Sequence, residues 1–440
     1  MSSKISLTSN SSNSRQFSVP IEAPLPGKLY SSIHQTGITD PAWPVDVPEG
    51  VTEEEYERYR GAIDRQGFVT IMTADLKASS REELEELLRK LTDFAYFEMG
   101  RKPSERRMRP LDPRRLPKSY RLTITMGFGS SLFLTERGDD RFGIRHLKPS
   151  ALKKMISLPG DAPGFSPADT ASDLIFVVAS DHPYVNIHVA RRLTKHVDPR
   201  ITVKHLEQAF SRPDLLEFLG FEDGTDNIRN WPEDDMDRLV YVTEREGEPD
   251  WCVGGSYLVY RKIQEHLPVW EHLAQHKEEM IKRQEAIIGR HKATGLPLSR
   301  KKGPPENRTP IYPDPADPKD GPLSAHIRKV QPRRPYPDIF GVDDLDRRFL
   351  RRPYSNYIDG VDETGEIRSG LNFIAFMRNI REQFEYVATM WQMNPNFPVP
   401  GTGIDALYAH NILSTIYGGY YFCPPAPRNK HDFIGSALCR

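Results

Sequence analysis

Gly220-Phe-Glu-Asp-Gly-Thr-Asp-Asn227 sets a short carboxylate, Asp223, between two glycines at the middle of a 440-residue chain. Glycine admits backbone conformations that other residues avoid and allows close approach of another surface. An acid on such a turn can be pressed against a flat ligand. The same residues also make an ordinary turn or helix cap, because Asp and Gly are common turn formers. The stretch therefore gains a functional meaning only from partners elsewhere.

Working outward, strand-like and helix-like segments alternate on both sides. Before the stretch, Gly67–Met72, Arg121–Met126 and Asp173–Ala179 read as strands, Arg81–Met99 and His182–Val197 as helices, and Val203–Phe218 as an amphipathic run. After it, Gly255–Tyr260, Leu371–Phe376 and Gly418–Phe422 read as strands, with helices over Gln264–Arg290 and Ile380–Met393. Residues 294–321, dense in Pro, Lys and Asp, read as an extended loop. Residues 1–45, rich in Ser, Asn and Pro, read as a flexible or draped arm. This mixture indicates α+β or α/β layers, which pattern alone does not separate.

Length makes two domains the natural division. The balance of 60 Lys+Arg against 61 Asp+Glu leaves a formal charge of −1, so nothing global points to nucleic acid. Three scattered cysteines are too few for a disulfide framework or a zinc cluster. No apolar run reaches the roughly 18 residues needed to span a membrane. The first 17 residues lack the apolar core of a secretory signal and carry no twin-arginine signal, so a cytoplasmic location is expected.

The candidate partners of Asp223 lie far along the chain. His326 follows small residues in Leu323-Ser-Ala-His326 and has no second His or Cys at zinc-site spacing. It is either a structural histidine or the single protein ligand of a metal, for which haem iron is the usual case. Arg351 and Arg352 are either a basic surface cluster or guanidinium groups aimed at a developing anion.

Together these residues resemble those of the dye-decolorising peroxidases, and most of all the bacterial deferrochelatase-like subclass. The likeness is carried in order by His34–Ile38, Arg121–Gly129, Gly220–Asn227, Gly254–Val259, Ala286–Arg290, Ala325–Arg328, Leu350–Arg352, Gly418–Phe422 and Phe433–Leu438. The resemblance implies an α+β fold of two ferredoxin-like domains with antiparallel sheets, a dimeric α+β barrel-like architecture, divided at 46–219 and 220–440. It implies one haem b per chain, with His326 as the iron ligand. Asp223 and Arg351 would be catalytic on the opposite face, with Gly224 and Thr225 beside them. Leu371 and Phe373 would form an apolar wall, Arg333 would meet a propionate, and Asp405 would orient the imidazole through its other nitrogen.

Two departures stand out: Gln331 where the family commonly has Asn, and Pro353 where glycine usually follows the two arginines. Pro353 fixes its own φ and biases Arg352 toward extended geometry.

The implied activity is peroxide-driven oxidation of dyes, phenols or other small aromatic one-electron donors, with Asp223 serving first as base and then as acid. Because an unperturbed Asp titrates near pH ~3.9, activity in acid is expected. Three rival readings are release of iron from haem, a non-catalytic haem carrier or sensor, and a divalent-cation loop at Asp223 and Asp226. Homo-oligomerisation is left open.

Overall fold

The uninterrupted apolar run Leu174–Ser180 forms strand β3, which is buried along its whole length. It lies inside a sheet because both of its faces need cover. The computed structural model describes residues 32–39, 65–101, 120–212, 216–222, 227–228, 236–299, 314, 316–361 and 365–440. Asp223, Gly224 and Thr225 fall outside the described residues, as do Asp226, most of the 1–45 arm and much of the 294–321 segment.

In the first half the chain runs β1 (Phe68–Leu76), α1 (Arg81–Gly100), β2 (Thr123–Gly129), β3, α2 (Pro183–Val197) and β4 (Ile201–Phe210). These strands lie in the antiparallel order β2-β3-β1-β4. In the second half β5 (Ser256–Glu265) is followed by α3 (Lys277–Ile288), α4 (His326–Val330), the two-residue β6 (Leu350–Arg351), β7 (Tyr354–Val361) and β8 (Ile367–Met377). After these come two π-helical turns (Arg381–Glu385, Val387–Gln392), α5 (Ala406–Ala409) and β9 (Leu413–Cys423). The order β7-β8-β5-β9 repeats that of the first half, with β6 added to β8.

The two antiparallel halves join at their edges, in keeping with the barrel-like architecture expected. Phe128 and Gly129 of β2 pair with Phe422 and Tyr421 of β9, and Phe210 of β4 pairs with Ser355 of β7. One nine-stranded sheet therefore closes on itself, which satisfies edge groups that would otherwise be left to solvent or to another chain.

The helices of the first half follow from local rules. Ser80 caps α1 by accepting from the Glu83 N–H, acids occupy its first turn, and Leu84, Leu87, Leu88, Leu91 and Phe94 bury one face. Burial of each such side chain is worth about 1.5–3 kcal/mol. Pro183 opens α2 at a position where its missing N–H costs nothing. Between the two sheets lies a second apolar core, including Ile71, Ile175, Leu258, Tyr260, Leu350 and Phe376.

Two sequence expectations are corrected, and one amphipathic run is given its element type. The supposed helix Gln264–Arg290 begins as the end of β5, continues as a short helix at Leu267–Glu271, and becomes a true helix only at Lys277. Pro268 accounts for the break, since it can start a helix but not sit inside one. The run Val203–Phe218 contains strand β4, which begins at Ile201 and ends at Phe210. The helix expected over Ile380–Met393 is wound in the wider π form.

Candidate active site

Side chains alternate across a strand, and in the second half one set of them faces a cavity. On β5, Arg261, Ile263 and Glu265 line it, whereas Leu258 and Tyr260 enter the core between the sheets. On β8, Leu371 and Phe373 line it while Ile374 and Phe376 turn inward. On β6, Arg351 lines it and Leu350 turns inward. The cavity encloses about 1360 Å³ free of protein atoms, its open mouth included. Most of its wall is apolar, with Phe349, Phe373 and Phe384 in mutual ring contact at 6.0–6.2 Å.

His326 enters from the first residue of α4. Its Nδ1 meets Asp405 Oδ2 at 2.7 Å, and the same oxygen accepts from Gln392 Nε2 at 3.0 Å. Asp405 Oδ1 accepts from the Leu407 N–H at 3.0 Å, as the N-cap of α5. The carboxylate is fully buried. Burial works against a charged imidazole, but the charge and hydrogen bond of Asp405 outweigh it and hold His326 above the usual histidine range. The Arg351 guanidinium pulls the other way and Glu217 adds to the rise. With Nδ1 committed to a carboxylate, Nε2 is the nitrogen left to bind a metal.

Gly289 makes the placement of α4 possible. It ends α3 at φ +92°, and a Cβ there would stand 2.7 Å from Ile327 Cγ1. Lys329, on the same short helix, is completely buried. Its Nζ donates to the carbonyls of Asn394 (2.7 Å), Phe397 (2.7 Å) and Gly403 (2.9 Å), pinning the loop that leads to Asp405.

The Gly220–Asn227 stretch borders the same cavity. A tight hairpin pairs Leu216 with Glu222, with Glu217 N–H donating to Phe221 O at 3.1 Å. Gly220 turns it at φ +80°. Glu217, Leu219, Phe221 and Glu222 of this hairpin line the cavity, directly ahead of Asp223 in sequence. Beyond the undescribed residues 223–226, Asn227 hydrogen-bonds the backbone of Arg351 on both sides, at 2.7 and 2.9 Å.

Arg351, at the end of β6, and Arg352, the next residue, separate as extended backbone requires. Arg351 faces the cavity, with Pro353 also on its wall. Arg352 is buried, donating to Ile38 O at 3.1 Å and Gln66 Oε1 at 3.2 Å. Proline after the pair thus coexists with a cavity-facing Arg351.

Of the residues singled out from sequence, His326, Arg351, Leu371 and Phe373 line one cavity, and Asp405 stands directly behind His326. Arg333 is buried at φ +50° and does not line the cavity. Sequence reasoning passed over Arg261 and Arg290, which do. Arg261 is paired with Asp161 Oδ1 at 2.5 Å and with Thr415, while its buried Nε has no hydrogen-bond partner among the described residues. Among the described residues no group of three His, Cys, Asp or Glu side chains is arranged to hold a metal ion, and no helix is long and apolar enough to cross a membrane.

Comparison with known proteins agrees with this geometry. Residues 62–211 match the family model described as Dyp-type peroxidase, N-terminal, and residues 214–428 match Dyp-type peroxidase, C-terminal. The chain is 29% identical over 392 residues to the deferrochelatase of Escherichia coli strain K12, covering 86% of this chain and 84% of that one. Among solved structures it is similar to a DyP-type peroxidase from Streptomyces coelicolor, at 26% identity and TM-score 0.67 over 86% of this chain and 94% of the other. It is also similar to ferric DtpA from Streptomyces lividans, at 25% identity and TM-score 0.67 over 93% and 99%.

Proposed function

Because the chain belongs to the Dyp-type peroxidase family, and is therefore a peroxidase that acts on hydrogen peroxide with a reductant, we propose that the cavity on its second sheet holds one haem b and carries the reaction. The observation that carries this reading is His326, a lone imidazole on an apolar wall, whose Nδ1 is held at 2.7 Å by a fully buried carboxylate. The lining suits a macrocycle: aromatic and aliphatic side chains for its faces, Arg261 and Arg290 for its acidic edge, and an unmet donor at Arg261 Nε. Arg333, outside the lining, is the weaker partner for a propionate in this arrangement. Each half of the chain, with its β-α-β-β-α-β order, is taken as a ferredoxin-like domain, the two meeting near residue 220.

Bound haem supplies the redox-active iron at which peroxide is reduced. The chain supplies the rest. Asp223 would accept one proton of hydrogen peroxide as a base and return it as an acid to the oxygen that leaves as water. Arg351 holds the negative charge that grows as the O–O bond breaks, at a fixed positive charge requiring no reorganisation. Asp405 keeps the His326 proton on Nδ1 and so fixes the tautomer that can bind a metal. Small aromatic or dye donors then return two electrons, one at a time.

The test uses the haem-loaded chain and a small phenol. His326→Ala is expected to abolish the Soret absorption of bound haem. Asp223→Asn is expected to keep that absorption and lose about 10²–10⁴ in turnover. Undiminished turnover in Asp223→Asn would remove the acid–base assignment. The curated relatives named deferrochelatase favour a second reading, release of iron from haem. Anaerobic incubation with haem separates the two: appearance of metal-free porphyrin without peroxide supports release, and intact haem with peroxide-dependent phenol oxidation supports the first reading.

A further inference from the structure

We infer that Asn227 is a positioning residue for Arg351, acting as a one-residue substitute for a neighbouring strand; this rests on the role proposed above for Arg351. Strand β6 is only two residues long and is paired on one side, through Leu350–Phe376 and Arg351–Ala375, with β8. On that side Arg352 N–H donates to Ile374 O at 2.7 Å. In an antiparallel strand the N–H and C=O of the intervening residue point the other way. There, among the described residues, no strand stands alongside: Asn227 Nδ2 donates to Arg351 O at 2.7 Å, and Asn227 Oδ1 accepts from Arg351 N–H at 2.9 Å.

A carboxamide carries one donor-bearing and one acceptor atom side by side, the same pair that a strand partner would offer. Aspartate lacks the donor and serine cannot span both groups. Asn227 is 2% exposed, so water does not replace it cheaply. Its Oδ1 also accepts from the Ile228 N–H at 3.0 Å, which fixes the amide's orientation. With β8 on one edge and Asn227 on the other, the Arg351 Cα has little freedom, and its side chain leaves the strand toward the cavity from a defined point. Asn227 stands four positions after Asp223 in sequence, so one covalent segment carries the acid and grips the backbone of the arginine.

The experiment is a double-mutant cycle on the full haem-loaded chain, with Asn227→Ala, Arg351→Leu and the pair. Two quantities are read: the bimolecular rate constant with peroxide, and the affinity of the ferric protein for fluoride, an anion whose binding depends on the donor facing it. The expected result is that Asn227→Ala lowers both by about 10- to 100-fold, as a misplacement of about 1 Å does, and leaves the KM for the phenol unchanged. In the Arg351→Leu background it is expected to lower neither further, because contacting residues that act together are not additive. An equal loss in both backgrounds, or no loss in the wild-type background, overturns the positioning role while leaving Arg351 intact. If Arg351→Leu alone matches wild type in both quantities, the reading of Arg351 fails, and the positioning role with it. Should Asn227→Ala not accumulate as folded protein, Asn227→Asp, of similar shape but with a carboxylate in place of the donor to Arg351 O, enters the same cycle with the same expected outcomes.

Discussion

Replacing Asp405 by asparagine tests the metal-facing half of the site at nearly constant volume. In the wild-type arrangement two oxygens accept three hydrogen bonds, from His326 Nδ1 at 2.7 Å, Gln392 at 3.0 Å and the Leu407 N–H at 3.0 Å. Asparagine has only one acceptor oxygen. If that oxygen keeps the Leu407 cap, the amide NH₂ faces His326 and Gln392. Gln392 can rotate its own amide, but His326 can answer only by accepting at Nδ1, which moves its proton to Nε2 and blocks the metal-binding nitrogen. If the oxygen turns to His326 instead, the α5 cap is lost. Either way a charge-assisted hydrogen bond worth about 1.5–3 kcal/mol disappears. At 1.4 kcal/mol per decade this is about a 10- to 100-fold weaker haem affinity, in line with the usual cost of removing such an orienting partner. The loss of an anion beside the imidazole also raises the ferric/ferrous midpoint potential. Haem titration followed at the Soret band and a spectroelectrochemical titration measure the two effects. An affinity within about twofold of wild type, with an unmoved potential, would refute the argument that Asp405 orients His326.

Two further outcomes follow from the support around α4. Gly289→Ala puts a Cβ 2.7 Å from Ile327 at a backbone φ of +92°. The expected cost is about 1–3 kcal/mol of stability in a urea titration, with a weaker haem complex because α4 must shift; wild-type values for both would show the helix to be free of α3. Lys329 is held by burial at a pKa of about 8, below the 10.5 of a free lysine. A lysine depressed in the fold binds fewer protons there than in the unfolded chain between those values. Its contribution to stability therefore rises as pH goes from about 8 to 10.5. Lys329→Met is expected to flatten that rise in the haem-free chain and to lower stability at pH 7 by orphaning three carbonyls; an unchanged slope between pH 8 and 10 counts against it.

The sequence was most readable where one local rule decided the structure. The apolar spacing of α1 and Pro183 placed two helices to within a residue or two. It was least readable in the second half. Pro268 was available as a breaker, yet the charged run around it hid the extension of β5 to Glu265. Strand β7 carries Ser355 and Asn356 in positions that look like loop, because it pairs within a polar stretch of the interior where Asn356 donates to Glu207. The gathering of His326, Arg351, Leu371 and Phe373 around one cavity was foreseen by family resemblance, not by spacing, since separations of tens of residues along the chain carry no geometric information. Arg261 and Arg290 were given no role, because charges within charged segments resemble surface charges until the cavity-facing side of each element is known.

Why the cavity lies in the second half, when both halves share one strand order, is a matter of how each sheet is roofed. In the first half the long helices α1 and α2 pack onto each other and directly onto β1, β2 and β3, and the leucines of α1 fill the space beneath. In the second half the roof is made of short pieces. α3, α4, α5 and the π-helical turns pack chiefly on one another, with α5 reaching β9 at the end. A five-residue helix such as α4 has too little apolar face to press flat on a sheet, and it is fastened instead by Lys329, Asp405 and the Gly289 contact. The wider π turns set Phe384, Val387 and Gln392 along the cavity's edge and not into the sheet. A sheet face lined by Leu371, Phe373 and Ile263 is left facing apolar side chains across a gap of about 1360 Å³. Apolar surface left apart in this way is costly in water and favours an apolar occupant. The same short elements that fail to close the core therefore define a space suited to the flat, largely apolar group with a charged edge proposed to occupy it.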